Sequence, residues 1–405
     1  MIASWHRTRL KYLASAEAGT WGEEPGGVGE DVYCIRAADF DRQRLRVAQD
    51  RIPVRSVEPG ALARLALRPG DIVLEKSGGG PDQPVGGSVL FDLEIPAVCS
   101  NFAARLRPAA GVDPRYLNYL MASMYQRGVT ASLAKQTTGI ANLDLGAYMA
   151  STCRVPCMED QVGIADYLDA ENHALDDLLA TKHRLVELLQ ERIDSAIMDL
   201  VGRSEIVADL PTIPALPARR LLVKNERAPE PGAEMVTAFR DGQVTARSLR
   251  RSEGFTESWT DESQVQGVRR GDVVVHGLDG FAGAIGTAES DGVCSPIYHV
   301  CSPIDGGDVD FYGRMLRLLA TTGYLGNFAT STRERAVDFR NWDLFGRIPV
   351  PAVDPAEQRR IGDRIRRLSP VREAVTRSSA LIGERKRAMI TAAVTGQIEI
   401  PEVAA

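Results

Sequence analysis

The stretch that most limits the possible folds lies between Val155 and Gly202. It opens Val155-Pro156-Cys157-Met158-Glu159-Asp160-Gln161, then runs from Ile164 to Val201 with no proline and no glycine. Apolar residues recur at Ile164, Leu168, Leu175, Leu178, Leu185 and Leu189. Steps alternating near three and four put them on one stripe of a helix, the seam along which helices pack on each other. The 43 residues from Glu159 to Val201 predict a rod roughly 65 Å long, at about 1.5 Å per residue. A rod of that length buries its seam only against a partner, and the C-terminus supplies one. Its opening, Val350-Pro351-Ala352-Val353-Asp354-Pro355-Ala356-Glu357-Gln358, repeats the first. Pro351 follows Pro156 by 195 residues, Gln358 follows Gln161 by 197, and Glu384-Arg385 follows Glu191-Arg192 by 193. That period is far too long for a solenoid repeat. It predicts a duplicated module, each copy a globular part followed by a long helix.

A chain of 405 residues, 44% hydrophobic and 25% charged, has room for two such modules with a core in each. No apolar run reaches the length of a membrane span, and Met1-Ile2-Ala3-Ser4-Trp5-His6-Arg7 lacks the apolar centre of a signal peptide. The expected location is therefore the cytoplasm, with no membrane partner. Cys34, Cys99, Cys153, Cys157, Cys294 and Cys301 form no CxxC pair, and Cys153-x3-Cys157 has no histidines to complete a zinc site. Buried free thiols and no metal are expected.

Charge is uneven. Residues 1–150 carry a net +1, residues 151–204 a net −6, residues 205–350 a net −4 and residues 351–405 a net +3. The acidic total of −6 argues against a protein that binds nucleic acid unaided, which needs a basic face. It leaves room for a reader of base edges whose partner supplies the backbone contacts. The cations are mostly arginine, the residue suited to bidentate contacts with guanine.

Residues 1–154 have an α+β pattern. Val32–Arg36 and Asp71–Leu74 are short β-rich runs bounded by glycine and proline. The glycine-rich segment Lys76-Ser77-Gly78-Gly79-Gly80 follows the second run. It has neither the Gly-Lys-Ser/Thr ending of a P-loop nor a GxGxxG, so a loop beside a ligand is the better reading than a nucleotide site. Asp113-Pro114 opens a helix, with Tyr116, Leu117 and Leu120 as core. Lys135-Gln136-Thr137-Thr138-Gly139-Ile140-Ala141-Asn142-Leu143 then reads as a polar, glycine-hinged loop. The plan recurs beyond a proline-punctuated linker, Asp209–Pro217. Val236–Arg240 matches Val32–Arg36, Gly271-Asp272-Val273 matches Gly70-Asp71-Ile72, and Asp310-Phe311-Tyr312 opens the matching helix. Thr330-Ser331-Thr332-Arg333-Glu334-Arg335 stands where Lys135–Gly139 stood. Matched positions with unmatched residues are what two sites for two ligands would look like.

The chain resembles the specificity subunit of a type I restriction-modification system, HsdS-like, over nearly its whole length. The carriers are the two Gly-Asp-hydrophobic turns, Thr137-Thr138-Gly139-Ile140-Ala141-Asn142-Leu143, the two Val-Pro…Gln helix openings and the paired helix endings, in duplicate order. The resemblance implies an α+β fold. Two globular α/β target recognition domains, residues 1–154 and 205–349, would alternate with two long helices, residues 155–204 and 350–405, packed as an antiparallel coiled coil. It implies a non-catalytic protein for phage defence. Each domain would read one half of a split site in double-stranded DNA, and the helices would set the spacing and dock two methyltransferase subunits. S-adenosylmethionine would belong to those partners and not to this chain, and a translocating restriction subunit is a further implied partner. The candidate DNA contacts are Lys76, Ser77, Lys135, Gln136, Thr137, Thr138, Gly139 and Asn142 in the first half. In the second they are Ser331, Thr332, Arg333 and Arg335.

Two departures and two competing readings bear on this. The second helix carries Gly362, Ser369 and Pro370, with polar Arg372 and Ser379 on its seam, so a kink or break near Ser369 is expected. A DNA methyltransferase would need an Asn/Asp-Pro-Pro-aromatic loop, and Ser295-Pro296-Ile297-Tyr298 lacks its first residue and its second proline. A metal-dependent nuclease would need Glu-x-Lys after an acid, and Asp71…Glu75-Lys76 places the lysine one residue early. The remaining alternative is a coiled-coil scaffold that binds only protein.

Overall fold

Each globular part is built outward from one glycine-aspartate turn. Gly70 and Gly271 take the left-handed conformation at φ +94° and +90°, which glycine enters without a steric clash. The buried aspartate that follows closes the turn by accepting a backbone N–H from three residues back. Arg68 donates to Asp71 at 2.8 Å and Arg269 to Asp272 at 2.7 Å. Arg107, at 2.7 Å, balances the charge of Asp71, and Arg227 balances that of Asp272. A carboxylate buried without such a partner would be strongly destabilising. Out of each turn runs the central strand of a sheet, Ile72–Glu75 or Val273–His276, its apolar side chains buried.

A computed structural model gives the structure of residues 5–80, 83–137, 140–250, 265–328 and 338–400, as backbone alone at residues 136, 137 and 305. They fall into two compact units, residues 1–180 with 377–405 and residues 181–376. The α-helices among the described residues are α1 (Pro59–Leu65), α2 (Pro114–Gln126), α3 (Val129–Ser132), α4 (Leu145–Ala150), α5 (Met158–Gly202), α6 (Val309–Thr321), α7 (Trp342–Phe345) and α8 (Pro355–Val394).

The two sheets share one plan. In the first unit the strand order is Ala14–Ala18, Ala103–Pro108, Ile72–Glu75, Ser88–Leu90, followed by two short strands at Arg46–Val47 and Phe40–Asp41. In the second it is Leu222–Lys224, Tyr298–Pro303, Val273–His276, Ile285–Thr287. The four matched strands are antiparallel to one another in both. One amphipathic helix covers the fourth strand in each, α2 on Ser88–Leu90 and α6 on Ile285–Thr287. Tyr116, Leu117 and Leu120 of α2 are buried as expected. Asp113 caps α2, accepting from Arg115 and Tyr116. α6 starts at Val309, one residue before the expected Asp310, because Asp308 accepts the N–H of Phe311 and caps it. Each globular part also ends where it begins. His6–Arg9 pairs antiparallel with Thr152–Val155, and Ala215–Pro217 with Pro349–Pro351.

The two Gln residues of the helix openings are buried staples. Gln161 accepts the backbone N–H of Asp113 at 3.0 Å and donates to the carbonyl of Pro156 at 3.1 Å. Gln358 accepts from Asp308 at 3.0 Å and donates to the carbonyl of Val353 at 2.7 Å and to the Tyr312 hydroxyl at 3.2 Å. Each fixes the cap of a globular-part helix to the first turn of a long one. Both long helices then feed both cores. In the first unit Ile164, Leu168 and Leu175 of α5 join Ile382, Met389 and Ile390 of α8 around α2. In the second, Ile193, Ile197 and Leu200 of α5 join Ile361 and Leu368 of α8 around α6.

The seam of α5 differs from the expected one. Leu178 and Leu185 are about half exposed, at 45% and 52%. Leu179 and Val186 pack inward in their place, which continues the alternation of three and four from Leu175 to Leu189. α8 is a single helix with Pro370 inside it, so the break expected near Ser369 is absent. Its seam runs Ile361, Ile365, Leu368, Val375, Ile382, Met389 and Ala393, all buried or partly buried. Burial at that heptad spacing on either side of Pro370 supplies the packing that offsets one lost helical hydrogen bond. All six cysteines are free, but Cys157 is exposed where a buried thiol was expected. It sits in the loop that leads into α5.

Candidate nucleic-acid interface

In the first unit three candidate residues stand in one row across a small sheet. Ala134–Thr137 and Ile140–Leu143 form an antiparallel hairpin, and the second strand also pairs with Ser77–Gly78. Lys135 lies opposite Asn142, and Asn142 opposite Ser77. Residues opposite each other in neighbouring strands share a face. The sequence reading made this segment a loop; it is a hairpin, formed because the backbone of Lys76 anchors it to the core. The Lys76 N–H donates to the carbonyl of Phe102 at 2.9 Å, and its carbonyl accepts from Leu143 at 2.8 Å. The exposed ammonium of Lys135 meets Asp144 at 2.8 Å. That hydrogen bond raises the Lys135 pKa and lowers that of Asp144. Asp144 also caps α4 by accepting from Ala147 at 2.9 Å, so the lysine is held beside a helix start. Gln136 and Thr137 are in the first hairpin strand. Thr138 and Gly139 lie outside the described residues.

Ser331, Thr332, Arg333 and Arg335 also lie outside the described residues. The backbone on either side still fixes the correspondence. Phe339 donates to the carbonyl of Gly277 at 2.7 Å and Gly277 donates to Ile297 at 3.0 Å, repeating the bonds of Leu143 and Lys76. Gly277-Leu278 therefore occupy the place of Lys76-Ser77.

Beside that place the second unit carries a cleft of about 630 Å³ that the sequence reading missed, lined by Phe239, Arg240, Arg247, Arg250, His276 and Tyr298. Asp241 and Asp279 complete its rim. Arg240 pairs with Asp279 at 2.8 Å, and Arg250 pairs with Asp241 at 2.8 Å while lying over the Phe239 ring at 4.3 Å. Arg247 donates to the Thr237 hydroxyl at 3.1 Å. His276 rests on the Tyr298 ring, 4.4 Å between centroids. Its Nδ1 accepts two backbone N–H groups, from Leu278 at 3.1 Å and Asp279 at 3.0 Å. The proton is thereby assigned to Nε2, making it a donor. Burial holds the His276 pKa below its ordinary value, so the ring is neutral near pH 7. No motif announces this cleft, since the sheet assembles it from four separated segments. In the first unit the matching positions differ: Arg36 is tied to Asp39 at 2.8 Å, and Glu75, in the place of His276, accepts from Arg42 at 2.9 Å.

No protein-family model and no curated protein matches the chain, whereas solved structures do. A chain from a structure of a type I restriction-modification system, described for its complex assembly and conformational transition, matches at a TM-score of 0.63 and 15% identity, over 98% of this chain and 98% of that one. The fold is that of a type I restriction-modification protein. Also similar are the HsdS subunit from Thermoanaerobacter tengcongensis, at TM-score 0.48 and 14% identity, and the type I restriction-modification S subunit from M. genitalium, at 0.45 and 14%. Each covers 98% of this chain and 97% of the other. The match at TM-score 0.63 takes in residues of both units. Among its described residues no helix is long and apolar enough to cross a membrane, and no cluster of three or more His, Cys, Asp or Glu could hold a metal ion.

Proposed function

We propose that the chain is the DNA-reading specificity subunit of a type I restriction-modification complex and supplies no catalysis itself. Each globular part reads one half of a bipartite site. α5 and α8 pack antiparallel as a spacer and dock two methyltransferase subunits, which bring S-adenosylmethionine; a restriction subunit joins the same assembly in the cytoplasm. The observation that carries this reading is one scaffold built twice with different chemistry at matched positions, Glu75 in one unit and His276 in the other. The same strand order, the same capped helix and the same Gln staple present Lys76, Ser77, Lys135 and Asn142 in one unit and an arginine-histidine cleft in the other. A scaffold that bound only protein would have no need of two dissimilar faces at one position. The net charge of −6 supports a complex in which most phosphate contacts, and so most non-specific affinity, come from the partners.

The test is co-expression with the methyltransferase subunits, followed by genome-wide mapping of methylated adenines. A split motif that disappears when this chain is omitted is the expected result. Methylation of an unsplit motif, or of the same motif without this chain, overturns the reading.

A further inference from the structure

The second-unit cleft carries an assignment beyond its general role, and it rests on the reading just proposed. We infer that Arg240 and Arg250 read the acceptor edges of guanines in the second half-site, with the His276 Nε2–H as a third donor.

Charge favours a base edge over a phosphate. Three arginines line the cleft, but Asp279 backs Arg240 and Asp241 backs Arg250. A carboxylate beside each of these two guanidiniums repels a phosphate. The same carboxylates orient the forks, and an oriented fork is what bidentate recognition requires. Arg and neutral Nε2–H present only donors. In the major groove the base offering two adjacent acceptors, N7 and O6, is guanine. Arg240 remains 69% exposed and Arg250 35%, so both are within reach of a duplex. Phe239 beneath Arg250 supports the guanidinium plane. In the first unit an acceptor, Glu75, stands in the place of the His276 donor and accepts from Arg42. Guanine dependence is therefore assigned to one half-site by this route.

The experiment uses the assembled complex with its methyltransferase subunits and reads the methylated motif for Arg240→Ala, Arg250→Ala and Arg250→Lys. The expected outcome is relaxation of one guanine position of the second half-site in each variant, with discrimination falling roughly 10- to 100-fold and the first half-site unchanged. Arg250→Lys keeps the charge and the ring contact but loses the fork, so it separates the two kinds of contact and guards against misfolding of the alanine variants. Base reading is lost with lysine, whereas a phosphate contact survives it. The inference is overturned by an unchanged second half-site, by uniform weakening on all sequences with a reduced salt slope, or by full activity of Arg250→Lys. Failure of the wild-type complex to give any split motif would instead strike the reading beneath it.

Discussion

Gly362 shows how one atom decides the sign of a substitution. A Cβ there would lie 2.1 Å from Oδ1 and 2.3 Å from Cγ of Asp308. That carboxylate is buried, caps α6 and is held by Arg366 at 2.9 Å, so it has nowhere to go. Glycine inside a helix normally loses about 1 kcal/mol to alanine, yet Gly362→Ala is expected to destabilise by about 1–2 kcal/mol through overpacking. A Cβ on Gly163 of α5 would meet open space among the described residues, so Gly163→Ala should stabilise by up to about 1 kcal/mol. Opposite shifts in urea midpoint check the pair. The sequence alone made Gly362 a weak point of the helix; its reason is an aspartate 54 residues earlier, which no local pattern reveals. His299 gives a second test at this scale. Its Nε2 bonds the carbonyl of Phe339, its Nδ1 is buried without a partner among the described residues, and burial, the largest influence, holds its pKa below the ordinary value. The folded state therefore binds fewer protons than the unfolded one, and stability falls as pH drops below about 6.5. Urea unfolding at pH 7.5 and 5.5 should show this loss, and His299→Phe should reduce it; an equal loss in the variant removes His299 as its source.

Among the elements, the long helices were readable in existence and length but not in phase. α5 spans Met158–Gly202 against an expected Glu159–Val201. Choosing leucines put Leu178 and Leu185 on the seam, whereas the packed positions are Leu179 and Val186, because spacing and not residue type determines the stripe. Of the polar residues expected on the seam of α8, Arg372 is exposed and Ser379 half-buried; the buried cation on this helix is another residue. Lys386, buried, meets Asp176 of α5 at 2.5 Å within the first unit. A charged seam position that finds its partner in one register only acts as a pin. Asp176→Ala, which strands the ammonium, is expected to cost about 2–3 kcal/mol. That is less than the loss of a fully buried pair, since Asp176 keeps 23% exposure. Asp176→Leu with Lys386→Met should recover most of it, and denaturant unfolding of the single and double variants measures both. The segment 135–143 was read as a loop, whereas Ala134–Thr137 and Ile140–Leu143 pair as strands, since a further partner strand at Ser77–Gly78 is supplied from elsewhere in the chain.

At the scale of the whole molecule, duplication was the most legible property, because motifs repeated in order survive when single motifs are weak. The cleft of the second unit was not legible, as it depends on side chains converging from distant strands. On the proposed function, the length of α5 sets the gap between half-sites. Four residues inserted after Ala180 add about 6 Å at roughly 1.5 Å per residue, or one to two base pairs at about 3.4 Å each. They also nearly complete a turn of about 3.6 residues, which preserves the packed face. The methylated motif should keep both halves and widen its gap, while an active variant with the original gap would remove the ruler role. A last consequence lies in the strands that close each globular part. His6–Arg9 pairs with Thr152–Val155, and Ala215–Pro217 with Pro349–Pro351, so the chain enters and leaves each part through neighbours about 4.8 Å apart. A part bounded in this way is a cassette. On the proposed function, crossovers at its two seams, between genes encoding similar chains, would replace the residues that read one half-site while leaving both helix junctions intact, so new specificities would arise by exchange in one step and not only by gradual substitution.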